Sequence, residues 1–191
     1  MKKHILGLFI LLIAGLPSIA QETITLSGGV VYSRAVDYSA YYAVDYRSEG
    51  TGFRITGAYE IGPLVPKKLL HGFSMAYIIT NSAVREADIN ADIKVRTIPM
   101  YYAPKFMIGS EKASVFTRGA IGMQFARFKA TGQIEEADHD WGFYGGIALG
   151  GMVRLNKKMF LNLEYEWSYM SNTYYLNGIL NSFQAGFGID L

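Results

Sequence analysis

The chain has 191 residues, of which 50% are hydrophobic and 14% aromatic, and it contains no cysteine. Without cysteine it has no disulfides, no thiolate metal site and no lipid-modified cysteine. Its 18 Lys and Arg residues exceed its 16 Asp and Glu residues only by the lysines at positions 2 and 3, so the rest of the chain is neutral, which argues against nucleic acid as a partner.

The first twenty residues have the pattern of a secretory signal peptide. Two lysines are followed by an apolar run from Ile5 to Leu16, and Ser18-Ile19-Ala20 forms a small-residue cleavage site. The run is about 12 residues long, which is too short to cross a bilayer of ~30 Å as a helix. We therefore predict a cleaved leader at residues 1–20 and one domain at residues 21–191.

After the leader, apolar and small or polar side chains alternate along eight segments, with the period of two expected of β-strands. The alternation is clearest in the seventh segment, where Leu163, Tyr165 and Trp167 alternate with Glu164 and Glu166. In chain order, the predicted strands are Thr23–Ser33, Gly52–Glu60, His71–Thr80, Asn90–Ala103, Ser114–Phe128, Trp141–Arg154, Met159–Tyr169 and Ile179–Leu191.

The connections between these strands differ in charge. If the mature chain begins in the periplasm, acidic loops lie outside the cell and basic turns lie in the periplasm. The predicted loops are 35–50, 81–92, 129–140 and 171–178, and the predicted turns are 60–71, 103–113 and 154–158. Within the fourth strand, Pro99 has no amide hydrogen to donate to a neighbour, and we expect a bulge or bend there.

Eight strands of roughly ten residues, joined as hairpins, predict an all-β fold, an up-and-down antiparallel barrel. The lumen of an eight-stranded barrel is only wide enough to be filled by side chains. We assign the face rich in Gly, Ala and Ser, with a few charged residues, to the lumen. The bulky apolar face must then contact lipid, because a soluble barrel does not expose so many large apolar groups to water. The sequence therefore predicts a transmembrane β-barrel.

Beyond this pattern, two segments are informative: Arg96-Thr97-Ile98-Pro99-Met100-Tyr101-Tyr102, and the final segment Phe183–Leu191. With the leader and the eight strands, they make the mature chain resemble the small outer-membrane β-barrels of Gram-negative bacteria, the OmpA/OmpX-type barrels of the porin family. The resemblance implies a monomer in the bacterial outer membrane, without a cofactor, in contact with lipid and lipopolysaccharide. It also implies insertion by the barrel-assembly machinery, although the chain ends in Leu191 rather than the usual aromatic residue.

The candidate site is a set of charged residues on the face that we assign to the lumen: Arg54, Lys94, Arg96, Arg118, Glu164 and Glu166. Buried charges need partners. We therefore predict that the two glutamates bridge to Arg118, Arg96 and Lys94 across the lumen. Such a network either fills and rigidifies the barrel, which we favour, or gates the passage of small ions.

No catalytic or metal site is predicted. Asp138-His139-Asp140, with Ser168 and Ser171, lies near the predicted outer rim, but adjacent loop residues do not form an oriented base and no serine motif accompanies them. The acidic residues between 135 and 140 are an alternative site for a divalent cation that bridges lipopolysaccharide phosphates. Their spacing matches no calcium-binding loop, and a solvated acidic loop is the preferred interpretation.

Tyrosines concentrate near the predicted outer end. We assign Tyr32, Trp141, Trp167 and Tyr169 to the aromatic girdle at the membrane interface. The remaining outer tyrosines belong either to this girdle or to a contact surface for a partner: Tyr38, Tyr41, Tyr42, Tyr46, Tyr174 and Tyr175.

Taken together, the sequence predicts an integral outer-membrane barrel with a structural or surface-interaction role. The first alternative is a narrow channel for ions or small solutes, and the second is an enzyme that modifies lipid A or phospholipid. A soluble barrel that carries a ligand would require the opposite assignment of the two faces.

Overall fold

In the computed structural model, residues 20–37, 47–63, 69–86, 89–132, 135–171, 174–175 and 178–191 are described, and the predicted leader lies outside them except for its last residue. Nearly all of these residues belong to β-strands: β1 Ala20–Asp37, β2 Arg47–Pro63, β3 Leu69–Glu86, β4 Ile89–Tyr102, β5 Lys105–Gly109, β6 Ala113–Gly132, β7 Glu136–Arg154, β8 Met159–Met170 and β9 Ile179–Asp190. Within the described ranges, no helix is long and apolar enough to cross a membrane.

The strands form a closed antiparallel barrel. Neighbours follow the order β2-β1-β9-β8-β7-β6-β4-β3, and β2 also pairs with β3, which closes the sheet. β4 and β5 are two pieces of one barrel strand, since Tyr102 pairs with Ile121 and Lys105 pairs with Arg118 in the same register on β6. The predicted eight-stranded barrel is therefore confirmed.

The strand breaks at Pro104, which has no amide hydrogen to donate. Its carbonyl still accepts a hydrogen bond from the Gly119 amide at 2.9 Å, so the wall of the barrel continues. The prediction that residues 103–113 form a turn is wrong, because Lys105–Gly109 is a strand and only residues 110–112 remain for the turn.

Pro99 does not produce the expected bulge. The pairs on either side of it, Met75–Met100 and Ile78–Thr97, keep one register, so β4 loses two rungs of its ladder to β3 without an inserted residue. The register shift that does occur lies in β1, near its outer end.

At the end of the barrel opposite the termini of the described chain, Ala20 and Leu191, the strands extend further than predicted. β3 ends at Glu86 and β4 begins at Ile89, so the predicted loop 81–92 shrinks to two residues. The 20 residues of β6 are about twice what a tilted strand needs to cross the hydrocarbon region of a bilayer. β8 and β9 have only 12 residues each, so the wall is lowest there and tallest at β6 and β7, which have 20 and 19 residues.

Burial alternates along the strands. In β8, the outward-facing side chains from Leu161 to Tyr169 are 41–53% exposed, and those that face inward are at most 8% exposed. Large apolar residues cover the outward face of most strands, among them Leu26, Val30, Phe73, Met75, Ile147, Leu149, Leu163 and Phe183. As predicted, the barrel has its apolar surface outside, and the middle of its lumen is polar.

Gly28 and Gly29 are adjacent in β1 but face opposite sides of the wall. A Cβ atom on inward-facing Gly29 would lie 1.9 Å from the carbonyl oxygen of Phe183, whereas one on outward-facing Gly28 would meet only the carbonyl oxygen of Arg54, at 3.9 Å. Glycine at position 29 therefore permits the close approach of β1 to β9.

We expect Gly29→Ala to lower the free energy of unfolding by about 1–3 kcal/mol, because the added methyl group must displace backbone atoms. Gly28→Ala is the matched control and should change it far less. Urea unfolding of the refolded protein in lipid measures both variants. Equal losses for the two would contradict the close approach at Gly29.

Candidate functional site in the barrel lumen

Four ionised side chains meet in the middle of the lumen. Glu166 accepts hydrogen bonds from Nη1 of Arg54 at 2.8 Å and from Nη2 of Arg118 at 2.9 Å, and the same nitrogen of Arg118 donates to Glu164 at 2.5 Å. All four side chains are at most 7% exposed. Because β2, β6 and β8 are not neighbours in the sheet, these ion pairs cross the lumen and connect three parts of the wall.

Neutral polar groups complete the surroundings of Arg54. Its Nη2 donates to the hydroxyl of Tyr101 at 2.7 Å and its Nε donates to Thr56 at 2.9 Å. The hydroxyl of Thr56 donates in turn to Gln184 at 2.7 Å, and the hydroxyl of Tyr144 donates to Glu166. A buried guanidinium stabilises a structure only when its donors are satisfied, and these contacts supply the partners.

Further ion pairs lie at the end of the lumen that holds the chain termini. Lys105 reaches both carboxylate oxygens of Glu60, at 2.6 and 2.7 Å, and Arg154 pairs with Asp190 at 2.5 Å. A small apolar cluster lies beside them: Phe116, Met152 and Phe160. The sequence analysis placed Lys105 in a turn. The alternation continues past Pro104, however, and it would have assigned Lys105 to the lumen.

The opposite mouth of the lumen is closed by apolar and aromatic side chains. Tyr174 and Tyr175, in the segment between β8 and β9, are each 2% exposed and point inward. The hydroxyl of Tyr175 lies 3.3 Å from that of Thr80 and 3.2 Å from that of Thr97. Burial raises the pKa of Tyr175, so this hydroxyl stays protonated. These two tyrosines form neither an outer girdle nor a contact surface, so both interpretations of them were wrong.

Beneath this pair of tyrosines, the outer half of the lumen holds a continuous apolar cluster. Its members come from most of the strands and include Val31, Ile78, Ile93, Val95, Ala126, Phe128, Met170 and Leu180. Tyr174 stacks on Phe128 with ring centroids 5.4 Å apart, and its hydroxyl donates to Asp138 at 3.1 Å. The polar network thus fills only the middle and inner parts of the lumen.

Lys94 and Arg96 do not belong to the network, and their predicted bridge to the glutamates is wrong. In β4, Ile93, Val95 and Thr97 are buried, whereas Arg96 is exposed and Lys94 is half-buried on the outer face. The apolar packing of the outer lumen decides the orientation of β4 and leaves the charges outside. Arg54 takes the place across the lumen that was predicted for them.

The residues of the catalytic alternative are not brought together. Ser168 lies inside the barrel and donates to the carbonyl of Leu180 at 3.3 Å, whereas His139 is exposed on the outer face. Ser171 accepts a hydrogen bond from the amide of Phe143 at 2.7 Å. Among the described residues, no group of three or more His, Cys, Asp or Glu side chains is placed to hold a metal ion.

The predicted interface aromatics all face outward. Tyr32, Trp141, Trp167 and Tyr169 are 39–58% exposed. Their contact with the membrane interface stays a prediction. The tyrosines of the first predicted loop, at positions 38, 41, 42 and 46, lie outside the described residues.

A closed barrel with an apolar outer face and a charged, filled interior is the arrangement expected of a barrel that spans an outer membrane. The family model for the outer membrane protein beta-barrel domain matches residues 6–190. The chain belongs to this family. Its members are outer-membrane proteins, so the strands described above are transmembrane strands of the bacterial outer membrane.

Solved structures agree on the architecture. Neisserial surface protein A (NspA) superposes with a TM-score of 0.58 at 11% identity over 90% of this chain and 99% of that one. The attachment invasion locus protein Ail of Yersinia pestis, in complex with the heparin analogue sucrose octasulfate, gives 0.50 at 16% identity over the same shares. At these identities the likeness shows the fold alone. No curated protein matches the chain significantly.

Glu166 is the residue on which the network depends, because among the described residues it is the one carboxylate that contacts both arginines. We expect Glu166→Gln to lower the free energy of unfolding by about 3–5 kcal/mol, since it leaves buried positive charge without a partner. The measurement is the temperature at which the folded band on an unboiled detergent gel disappears.

Gln124→Leu is the matched control, because Gln124 is also fully buried in the lumen. Its amide nitrogen and oxygen have no hydrogen-bond partner among the described residues. Replacing an unsatisfied buried amide should be neutral or stabilising by about 1 kcal/mol. If the folded band of Glu166→Gln disappeared at the same temperature as that of the wild type, the role of the network would be contradicted.

Proposed function

We propose that this protein is a structural and surface-interacting barrel of the outer membrane whose lumen does not conduct solutes. The observation that carries the proposal is the filling of the lumen at three successive levels. Tyr174 and Tyr175 with the apolar cluster close the outer mouth, the Arg54–Glu166–Arg118 network fills the middle, and the Lys105–Glu60 pair fills the inner part.

The tall side of the wall supports a role at the cell surface. β6 and β7 have 20 and 19 residues, so their hairpin extends well beyond the hydrocarbon region. Paired strands hold each other in place, and the hairpin therefore offers a rigid surface to partners outside the cell. A rigid surface loses little conformational entropy when it binds.

The channel alternative requires a continuous water path, which the packing of the lumen opposes. Opening such a path would require separating Arg118 from Glu164 and Glu166, and a buried charge that loses its partner is strongly destabilising.

The enzyme alternative has no support in the geometry, because His139 and Ser168 lie on opposite faces of the wall.

Planar-bilayer recording tests the closed lumen. The purified protein should give no stepwise conductance at ordinary voltages. Tyr174→Ala with Tyr175→Ala should also remain silent, because the charged network below these residues still blocks the lumen. Reproducible, ion-selective steps from the wild-type protein would contradict the proposal and favour the channel.

Photo-crosslinking in intact cells tests the surface role. A photoreactive residue in place of Thr131, which is exposed near the end of β6, should form adducts with an extracellular or envelope protein or polysaccharide. The control position is Leu149, which faces outward in β7 within the apolar band and should yield only lipid adducts. Identical adducts at both positions would contradict a specific outer surface.

A further inference from the structure

Four basic side chains form a cluster on the outside of the barrel, at the end away from the chain termini. Lys94 of β4 is directly opposite Lys129 of β6, and Arg96 is directly opposite Arg127. Their neighbours along each strand are buried in the lumen, so all four point outward. We call Lys94, Arg96, Arg127 and Lys129 the basic cluster.

The basic cluster is unfavourable in isolation. Directly opposed residues of antiparallel strands have Cβ atoms about 5 Å apart, and like charges in such pairs destabilise a sheet. The two pairs are also only about 7 Å apart along the strands. In the parts of the chain that the structure describes, none of the four forms a salt bridge, because the ion pairs there lie inside the barrel or near the chain termini.

Two exposed carboxylates, Asp92 and Glu49, line the same surface depression as Lys94, but neither forms a salt bridge with a member of the cluster. Asp92 lies further from the membrane than Lys94, opposite Thr131. The residue directly opposite Arg127 on β7 is His139 and the one directly opposite Lys94 on β3 is Asn81, and neither carries a negative charge. An anion from outside the chain would remove the repulsion among the four cations.

The position of the cluster indicates what kind of anion this is. One step closer to the middle of the membrane, Phe125 and Trp141 are paired with ring centroids 5.1 Å apart, and Phe125 also contacts His139. Met100, Met123 and Phe143 follow on the same outward face. The cluster therefore adjoins the apolar band, at the level where lipid head groups lie and where Lys and Arg side chains reach them.

We infer that the basic cluster binds the phosphate groups of lipopolysaccharide in the outer leaflet. Arginine binds phosphate oxygens through two parallel hydrogen bonds, and lysine adds a point charge, so two of each suit a phosphorylated head group. The acyl chains would lie against Met100, Met123 and Phe143 directly below. Free phosphate lacks this second contact, and the end away from the termini is the predicted outer end. The lipid contact does not depend on whether the lumen conducts.

The test compares two double variants of the refolded full barrel domain in detergent micelles. Arg96→Gln with Arg127→Gln removes two charges from the cluster, and Lys157→Gln with Lys158→Gln removes two exposed charges from the opposite end. Binding is titrated with fluorescent lipopolysaccharide, the same material after enzymatic dephosphorylation, phosphatidylglycerol and inorganic phosphate. A heat-modifiability gel verifies that each variant is folded.

The arginine variant should bind lipopolysaccharide at least about tenfold more weakly than the wild type, and the lysine variant should bind equally well. Without lipid, the arginine variant should be at least as heat-resistant as the wild type, since it has lost a repulsion. A purely structural role would lower that resistance instead.

Other outcomes would overturn the inference. Equal loss in both variants, or no loss in either, would exclude the cluster as the site. Unchanged binding after dephosphorylation would exclude phosphate recognition. Equal binding of phosphatidylglycerol or inorganic phosphate would exclude lipopolysaccharide as the specific occupant. If the arginine variant failed to fold, Arg127→Gln alone would be titrated by the same criteria.

Discussion

The carboxylate of Glu166, held between two arginines in the middle of the lumen, is the interaction on which the rest of the structure depends. An eight-stranded barrel is too narrow to hold bulk water inside, so any charge that points inward is removed from solvent. It is tolerated only if opposite charges reach it across the lumen. The ion pairs from Arg54 and Arg118 to Glu166 therefore connect β2, β6 and β8, which are not hydrogen-bonded to one another.

The wall around this network is closely packed. Gly29 permits the close approach of β1 to β9, and Thr56, which is hydrogen-bonded to Gln184, lies beside Arg54. The alternation of β8 predicted the orientation of Glu164 and Glu166, because a strand between lipid and a narrow polar interior must separate its two kinds of residue. The fold, the number of strands and most of the inward-facing residues could be predicted in this way.

The prediction failed where the solvent outside the barrel changes. Near the middle of the membrane the outside is lipid, and apolar residues such as Met100 face it. Further along β4, Lys94 and Arg96 face outward while Ile93 and Val95 fill the lumen, and we infer that the outside there is head groups and water. Within β4, the face that carries the charged residues therefore points away from the lumen, which is the opposite of the predicted orientation. Periodicity shows that two faces differ, but not where along a strand the surrounding medium changes.

The partners of the two glutamates were also only partly predictable. Tyr101 and Tyr144 contact the network as hydrogen-bond acceptor and donor. Tyr144 shares the small-residue face of its strand with Gly142 and Gly146, so its orientation could be predicted, but no pattern in the sequence indicates that either tyrosine contacts Arg54 or Glu166. Tyr174 and Tyr175 fold back into the mouth because the apolar lumen beneath them offers burial. Such a reversal depends on the path of a loop, and period-two patterns contain no information about loops.

Cysteine accessibility along β4 tests the account most directly, because the natural chain has no cysteine. Val95→Cys and Arg96→Cys would be treated in intact cells with a water-soluble maleimide that cannot cross the membrane. Arg96→Cys should react rapidly, and Val95→Cys should react only after the protein is unfolded. Rapid reaction of Val95→Cys in the folded protein would mean that water reaches the lumen, and it would contradict a lumen filled by side chains.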